Sequence, residues 1–201
     1  MKVLLESNYF PPLSYMHLLL NAEEVQIKIN EPYLKQTYRN RANILTSQGV
    51  VGLTVPIEKK GQYSVETCKI SYAENWQLKH LRTIESAYGK TPFFEHYFPY
   101  LEELFSQKHV FLTELNNQAL SLCLKFLNAP EQIIQDKKEL IGFQDATNTI
   151  SPKKESLIIE SPIYHQMFGN EFAQDLSILD VLFCEGPLAY LIVKNQINLK
   201  L

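Results

Sequence analysis

Glycine is scarce in this chain, seven residues in 201, and none of them builds a GxxxxGK or GxGxxG loop. The glycine-rich backbone cradles for nucleotide phosphates are therefore excluded. Cys68, Cys123 and Cys184 stand far apart with no CxxC, so neither a disulfide framework nor a cysteine zinc site is indicated, and reduced core thiols are expected. No cluster of ligating residues at metal spacing is present, and no metal is expected. No apolar run approaches the ~20 residues of a membrane helix. The N-terminal MKVLLESNYFPPLSYMHLLLNAEE also lacks the apolar core of a secretory signal. A cytoplasmic protein without membrane insertion is expected. Nineteen Lys and Arg against 22 Asp and Glu leave a net charge of −3 and a pI near 6.0, so no overall basic balance calls for a nucleic-acid partner.

What is present is ordinary globular material. Hydrophobic residues make up 45%, with 11 Tyr and 11 Phe, and 201 residues suit one domain spanning 1–201. KVLLE (2–6) reads as a buried strand, residues 11–21 as a helix opened by proline, and residues 24–29 as an alternating strand. That β-α-β opening favours parallel pairing. RANILTS and VVGLTVPIE flank Gln48-Gly49 as a hairpin, and YSVETCKISY alternates as a further strand. From Trp76 the period becomes helical. Helices are expected at 76–88, stopped by Gly89, at 93–105, opened by Pro92 and kinked or split at Pro99, and at 110–127. ELIGF and SLIIE read as short strands, and LSILDVLFCE as an apolar helix ended by Gly186-Pro187. The fold class is α/β: a mixed sheet with an N-terminal β-α-β unit, a β-hairpin and a helical C-terminal half.

Candidate binding residues gather in two stretches. If QTYRNRANI (36–44) is extended, a period of two sends Tyr38, Asn40 and Ala42 to one face and Arg39 and Arg41 to the other, two guanidiniums side by side. Paired arginine forks suit phosphate or carboxylate, and the competing reading is a strand face answered by acidic partners. The loop Ser7-Asn8-Tyr9-Phe10-Pro11-Pro12 joins the first strand to the first helix, where open α/β sheets bind ligands, although its prolines deny it two backbone donors. Tyr9, Phe10 and Tyr15 are placed either to stack on a base or sugar or to pack in the core. Ser177-Ile178-Leu179-Asp180 fits a capping arrangement in which Asp180 returns to the helix backbone, the competing partner for Asp180 being Arg39 or Arg41.

Several segments carry a resemblance. Tyr9-Phe10-Pro11-Pro12 with Tyr15, then Tyr33-x-Lys35-Gln36-x-Tyr38-Arg39-Asn40-Arg41, then Leu53-Thr54-Val55-Pro56, resemble in order the N-terminal half of the WbqC-like protein family. Lys79-His80 with Ile84-Glu85-x-x-Tyr88-Gly89-Lys90-x-Pro92-Phe93-Phe94 continues the run. Tyr164-x-Gln166 with Leu176-Ser177-Ile178-Leu179-Asp180-x-Leu182-Phe183-x-Glu185-Gly186-Pro187 completes it. The resemblance implies a place in making or modifying surface-polysaccharide precursors such as those of O-antigen. In longer relatives a Ser-Gly-x-x-Gly-x-x-Tyr-Leu segment precedes the Tyr-x-Gln motif; here ELIGFQDATNTISPKKESLIIE stands in its place, so an activity carried by that segment is lost or changed.

With the family motifs in view, Arg39 and Arg41 are expected to clamp the diphosphate of a nucleotide-linked sugar or a similar phosphorylated small molecule. Lys35 adds a cation, Gln36 and Asn40 are directed at hydroxyls, and Asn8, Tyr9, Phe10, Tyr15 and Tyr38 complete the set. Phe10-x-Pro12-x-Ser14-x-x-His17-Leu18 is also similar in spacing to the Phe-x-Pro-x-His-x-Gly-His-Leu loop of adenylyl- and cytidylyltransferases, with Ser14 in place of the first histidine. Thr149-Ile150-Ser151-Pro152-Lys153-Lys154 faintly resembles their later Ile-Ser-Ser-Thr segment. His17 and His80 are the candidate proton carriers. Two classes of function follow: a transferase acting on a nucleotide-linked sugar or similar phosphorylated precursor, or a binding protein, either a noncatalytic ligand-binding or scaffold protein in glycan assembly or a nucleotidyltransferase-like nucleotide binder. The sequence names no cofactor and no oligomeric state.

Overall fold

The computed structural model describes residues 1–58, 64–129, 133–134, 142–160, 164–195 and 197–200. In chain order the elements are β1 (Lys2–Glu6), α1 (Leu13–Asn21), β2 (Glu24–Lys28), β3 (Arg41–Thr46), β4 (Gly49–Thr54), α2 (Trp76–Tyr88), α3 (Phe94–Ser106) and α4 (Leu112–Phe126). They continue with β5 (Ile133–Ile134), β6 (Phe143–Asp145), β7 (Ile158–Glu160), α5 (Ile178–Glu185), a 3-10 turn at Gly186–Leu188, α6 (Ala189–Asn195) and β8 (Asn198–Leu199).

β1 lies inside a parallel sheet of order β5-β2-β1-β6, pairing Val3 with Val25 on one side and with Gln144 on the other. Its uninterrupted apolar run is what burial on both faces requires. Because the chain runs from β1 to β2 on one side and returns to β6 on the other, loops leaving the carboxyl ends of the sheet diverge around β1. That is the place where open α/β sheets hold ligands. The mixed pairing expected of this fold is distributed: parallel in the main sheet, antiparallel in the β3-β4 hairpin and the β7-β8 ladder. Gly49 takes φ +95 in the hairpin turn, a conformation that costs glycine nothing.

α1 starts after two prolines and has no cap of its own. Its orphan donors are met from far along the chain: Leu13 N donates to the Leu176 carbonyl at 3.0 Å and Ser14 N to Asp175 Oδ1 at 2.8 Å. The favour is returned to α5, where Ile178 N donates to the Pro11 carbonyl at 2.8 Å and Ser177 Oγ to the Phe10 carbonyl at 2.9 Å. Two helix starts thus cap each other, although they lie near opposite ends of the chain.

Two sequence expectations give way. Residues 64–72 form isolated bridges, Pro32 with Ser64, Ile57 with Ile70 and Lys69 with Phe111, in place of a continuous strand. α3 runs unbroken through Pro99, whose ring removes one intrahelical donor; burial of Tyr97, Leu101, Leu104 and Phe105 on one face outweighs that loss. α6 and β8 lie beyond the last helix anticipated from the pattern. Residues 139–141 of ELIGF and Tyr63 fall outside the described residues, while Phe143 opens β6.

Candidate functional site

The loops that follow β2 and β6 face each other across the carboxyl end of β1, and between them lies a cleft of about 460 Å³. Lys35, Thr37 and Arg39 stand on one wall, Asn148, Ser151, Lys153 and Lys154 on the other, with Leu34 and Ile150 as apolar flanks. Local chemistry shapes both walls. Directly after β6, Asp145 Oδ1 accepts from Thr147 N at 2.9 Å and Thr147 Oγ1 at 2.6 Å, a side-chain turn that leads Asn148 into the left-handed region at φ +59. On the facing wall Gln36 takes φ +58 and Thr37 Oγ1 donates to the Leu34 carbonyl at 2.9 Å, which leaves Lys35 exposed and turns Arg39 inward. Asn148 ties the walls together. Its N–H donates to Glu6 Oε2 at 3.2 Å, its Oδ1 accepts from Arg39 Nη2 at 2.9 Å, and its carbonyl accepts from Lys154 Nζ at 2.8 Å.

Arg39 is 1% exposed, and its first partner is Glu31: Nε donates to Oε1 at 3.1 Å and Nη2 contacts the same oxygen. The carboxyl of Glu6, buried beside them, is pushed above the usual carboxylate range by loss of water, against the opposing pull of its own backbone N–H and of Arg39. Arg39 is therefore a fixed cation already answered by the protein. Lys35, Lys153 and Lys154 form no ion pair among the described residues, and they supply the positive field of the cleft.

The two arginines do not lie side by side. Residues 36–40 turn before β3 begins at Arg41, so the assumed period of two fails at this point. Arg41 Nε donates to Asn43 Oδ1 at 3.1 Å, and its guanidinium lies where a Cβ on Gly52 of the paired strand would stand. A second, smaller compartment of about 180 Å³ opens on that side. It shares Ile150, Ser151 and Lys154 with the first and is walled by Tyr38, Asn43, Ser156, Gln174 and Asp175. Asp175 accepts from Ser14 N, from Ser14 Oγ at 2.9 Å and from Ser156 Oγ at 3.1 Å, and burial raises its carboxyl above the ordinary value. Burial also pushes the Tyr38 phenol up to about 12.

The aromatic loop is placed elsewhere. Tyr9, Phe10 and Tyr15 are wholly buried, Tyr15 donating to the Glu6 carbonyl at 2.8 Å and Tyr9 to His80 Nδ1 at 3.0 Å. The other ring nitrogen of His80 serves the Thr54 carbonyl, and burial lowers this histidine to about 4, so it is a neutral bridge between α2 and the hairpin. His17 meets the Val193 carbonyl at 2.8 Å, tying α1 to α6. Ser14 and His17, the two positions that match the histidines of the nucleotidyltransferase loop, thus have structural partners. Asn40 is held by Val55 through its side chain and backbone. Asn8 is 2% exposed, and neither amide atom has a hydrogen-bond partner among the described residues.

Asp180 neither caps α5 nor meets an arginine. Ser177 Oγ accepts from Leu179 N at 3.4 Å as the cap, while the Asp180 carboxylate takes Tyr88 OH at 2.8 Å, Tyr164 OH at 2.6 Å and Gln166 Nε2 at 3.1 Å. Desolvation raises its carboxyl, and those donors pull against the rise. Of the candidates, then, the fold brings Lys35 and Arg39 to one cleft with Gln36 at its turn, sets Tyr38 at the adjoining compartment with Arg41 near it, and keeps the histidines and aromatics apart. Glu31, Glu6, Asn148, Lys153 and Lys154 were not among the candidates. For the lysines a signal existed, two adjacent cations just after Ser151-Pro152.

The WbqC-like protein family model matches residues 6–154, and the chain belongs to that family. An uncharacterized protein of Mycobacterium tuberculosis, Rv1507c, is 29% identical over 218 aligned positions that cover 92% of this chain and 94% of its own. No solved structure matches the chain significantly. Among the described residues, no helix is long and apolar enough to cross a membrane.

Proposed function

We propose that this WbqC-like protein binds a phosphorylated or nucleotide-linked sugar precursor of surface-polysaccharide synthesis in the lysine-lined cleft. One observation carries the reading: Lys35 from the loop after β2 and Lys153 and Lys154 from the loop after β6 converge at the carboxyl edge of a parallel sheet, with no carboxylate partner among the described residues. Three ammonium groups around a concave surface suit phosphate oxygens, with the hydroxyls of Thr37 and Ser151 as further donors. Membership in the family supports the polysaccharide setting. The cation set differs from the arginine clamp expected of the motif, because Glu31 occupies Arg39.

A binding role without catalysis is the second reading, and a specific observation favours it: the cleft wall presents cations, hydroxyls and an amide, whereas His17 and His80 lie outside it. If the protein is a transferase, the proton must move through other groups. Thermal shift and isothermal titration with pyrophosphate, UDP, glucose 1-phosphate and a panel of UDP-linked hexoses test the proposal. Stabilisation by the anionic probes that is lost in a Lys35→Ala, Lys153→Ala variant is the expected result. Absence of binding by every probe overturns it. Turnover of a bound sugar nucleotide with an acceptor would select the transferase.

A further inference from the structure

The two adjoining compartments differ in chemistry. The larger one is cationic. The smaller carries two carboxylates (Glu155, Asp175), two amides (Asn43, Gln174), two serine hydroxyls (Ser151, Ser156) and a phenol (Tyr38), with Lys154 at the side it shares with the larger and apolar patches from Val50 and Leu157. Amides and carboxylates interleaved with aliphatic surface match a molecule whose rim alternates donor and acceptor hydroxyls while its faces are C–H, and two carboxylates beside the single Lys154 disfavour a second phosphate. The smaller compartment's volume of about 180 Å³ is less than half the 460 Å³ of the cationic cleft. That suits one small polar ring better than a bulky purine nucleoside. Lys154, common to both walls and anchored by its bond to the Asn148 carbonyl, sits where a phosphate joined to that ring would pass between them.

We propose that the smaller compartment is a monosaccharide subsite, in which Asn43 and Gln174 select the sugar ring while Lys35, Lys153 and Lys154 hold the phosphate attached to it. The assignment rests on the anion-binding reading of the larger cleft and deepens it: the ligand enters sugar-first, and any nucleoside it carries remains toward the lysine side. Asp175 is a poor test residue because it caps α1; Asn43 also holds Arg41, so Asn43→Ala serves only as a second variant beside Gln174→Ala. Gln174 is exposed and forms no hydrogen bond in the described set, so its truncation perturbs the fold least.

Isothermal titration with UDP, UDP-glucose, UDP-N-acetylglucosamine and glucose 1-phosphate, on wild type, Gln174→Ala, Asn43→Ala and Lys153→Ala, separates the two levels of the argument. The expected result is that at least one sugar-bearing probe binds about tenfold tighter than UDP or inorganic phosphate. Gln174→Ala and Asn43→Ala should then remove most of that preference, and Lys153→Ala should weaken all probes together. Equal affinity for UDP and every sugar-bearing probe, or a sugar preference that survives unchanged in Gln174→Ala and Asn43→Ala, overturns the sugar subsite while leaving the anion cleft standing. No binding of any probe, UDP and phosphate included, removes both. Circular dichroism of each variant, matching wild type, ensures that a lost preference reports the subsite.

Discussion

Glu31 and Asp180 are both carboxylates taken out of water, and the protein answers them in opposite ways. Glu31 meets a guanidinium beneath the cleft, whereas Asp180 meets two phenols and an amide in the interior between α2, α5 and the 164–173 segment. An ion pair leaves each charge dependent on the other, so removing one strands its partner. Neutral donors satisfy a carboxylate without a second charge to desolvate. The paired arrangement adjoins a cleft whose lysines form no ion pair among the described residues, and the neutral one is buried, Asp180 being 1% exposed.

Arg39→Ala is the severest test of that contrast. It should cost about 3–5 kcal/mol in urea unfolding, because Glu31 and the nearby Glu6 are left without their cation. A double mutant with Glu31→Ala should recover part of that loss. A single-variant cost below about 1 kcal/mol would show that the pair is open to solvent.

His80 sharpens the comparison as a buried titratable group with no partner of opposite charge among the described residues. Burial holds it near 4 in the folded state against 6.5 unfolded, so the unfolded chain takes up a proton first as the pH falls. Its contribution is present above pH 6.5 and is lost between 6.5 and about 4, amounting to roughly 3 kcal/mol at about 1.4 kcal/mol per unit. His80→Gln should flatten that portion of the stability-pH curve, measured as the difference from wild type. A difference that is constant over the window removes the claim.

Asp180→Asn should cost about 1–3 kcal/mol, since an amide has fewer acceptor sites for Tyr88, Tyr164 and Gln166. Because the folded carboxyl is raised above its unfolded value near 3.8, the wild type loses stability relative to the variant as pH climbs from that value upward. The cost of the substitution is therefore greater near pH 4 than near pH 7. A cost that grows toward pH 7 would mean that a cation stabilises the ionised form. The smallest stability effect belongs to Lys35→Ala with Lys153→Ala, within about ±0.5 kcal/mol for exposed side chains, even though the same pair should abolish pyrophosphate binding. Loss of stability without loss of binding would reverse the assignment of the two regions.

Much of the fold was legible in the chain. The apolar run of Val3-Leu4-Leu5, the alternation of residues 24–28, Gly49 between two strands and the helical period from Trp76 all carry their structure in local spacing, and the ordered motifs from Tyr9 to Phe94 lie within the residues 6–154 that the family model matches. Local spacing also misled where tertiary packing prevailed. Pro99 sits inside a helix held by its buried face, and residues 36–40 turn where a strand was expected.

The candidate site was legible only in fragments. Lys35 and Arg39 could be singled out, and residue types could say that Arg39 wants an oxyanion; they could not say which one. The answer came partly from Glu31, eight residues away, and partly from Asn148, 109 residues away, and the facing lysines arrive from residues 153 and 154. Periodicity is a property of neighbours in sequence, so it determined most of the strands and helices and failed at residues 36–40 and 64–72, where partners distant in the chain set the conformation. Charge pairing is a property of neighbours in space. Only the β5-β2-β1-β6 order, which brings the loops after β2 and β6 together across β1, decided that the motif's arginine would be spent on the protein's own carboxylate and that the lysines would be left to face the cleft.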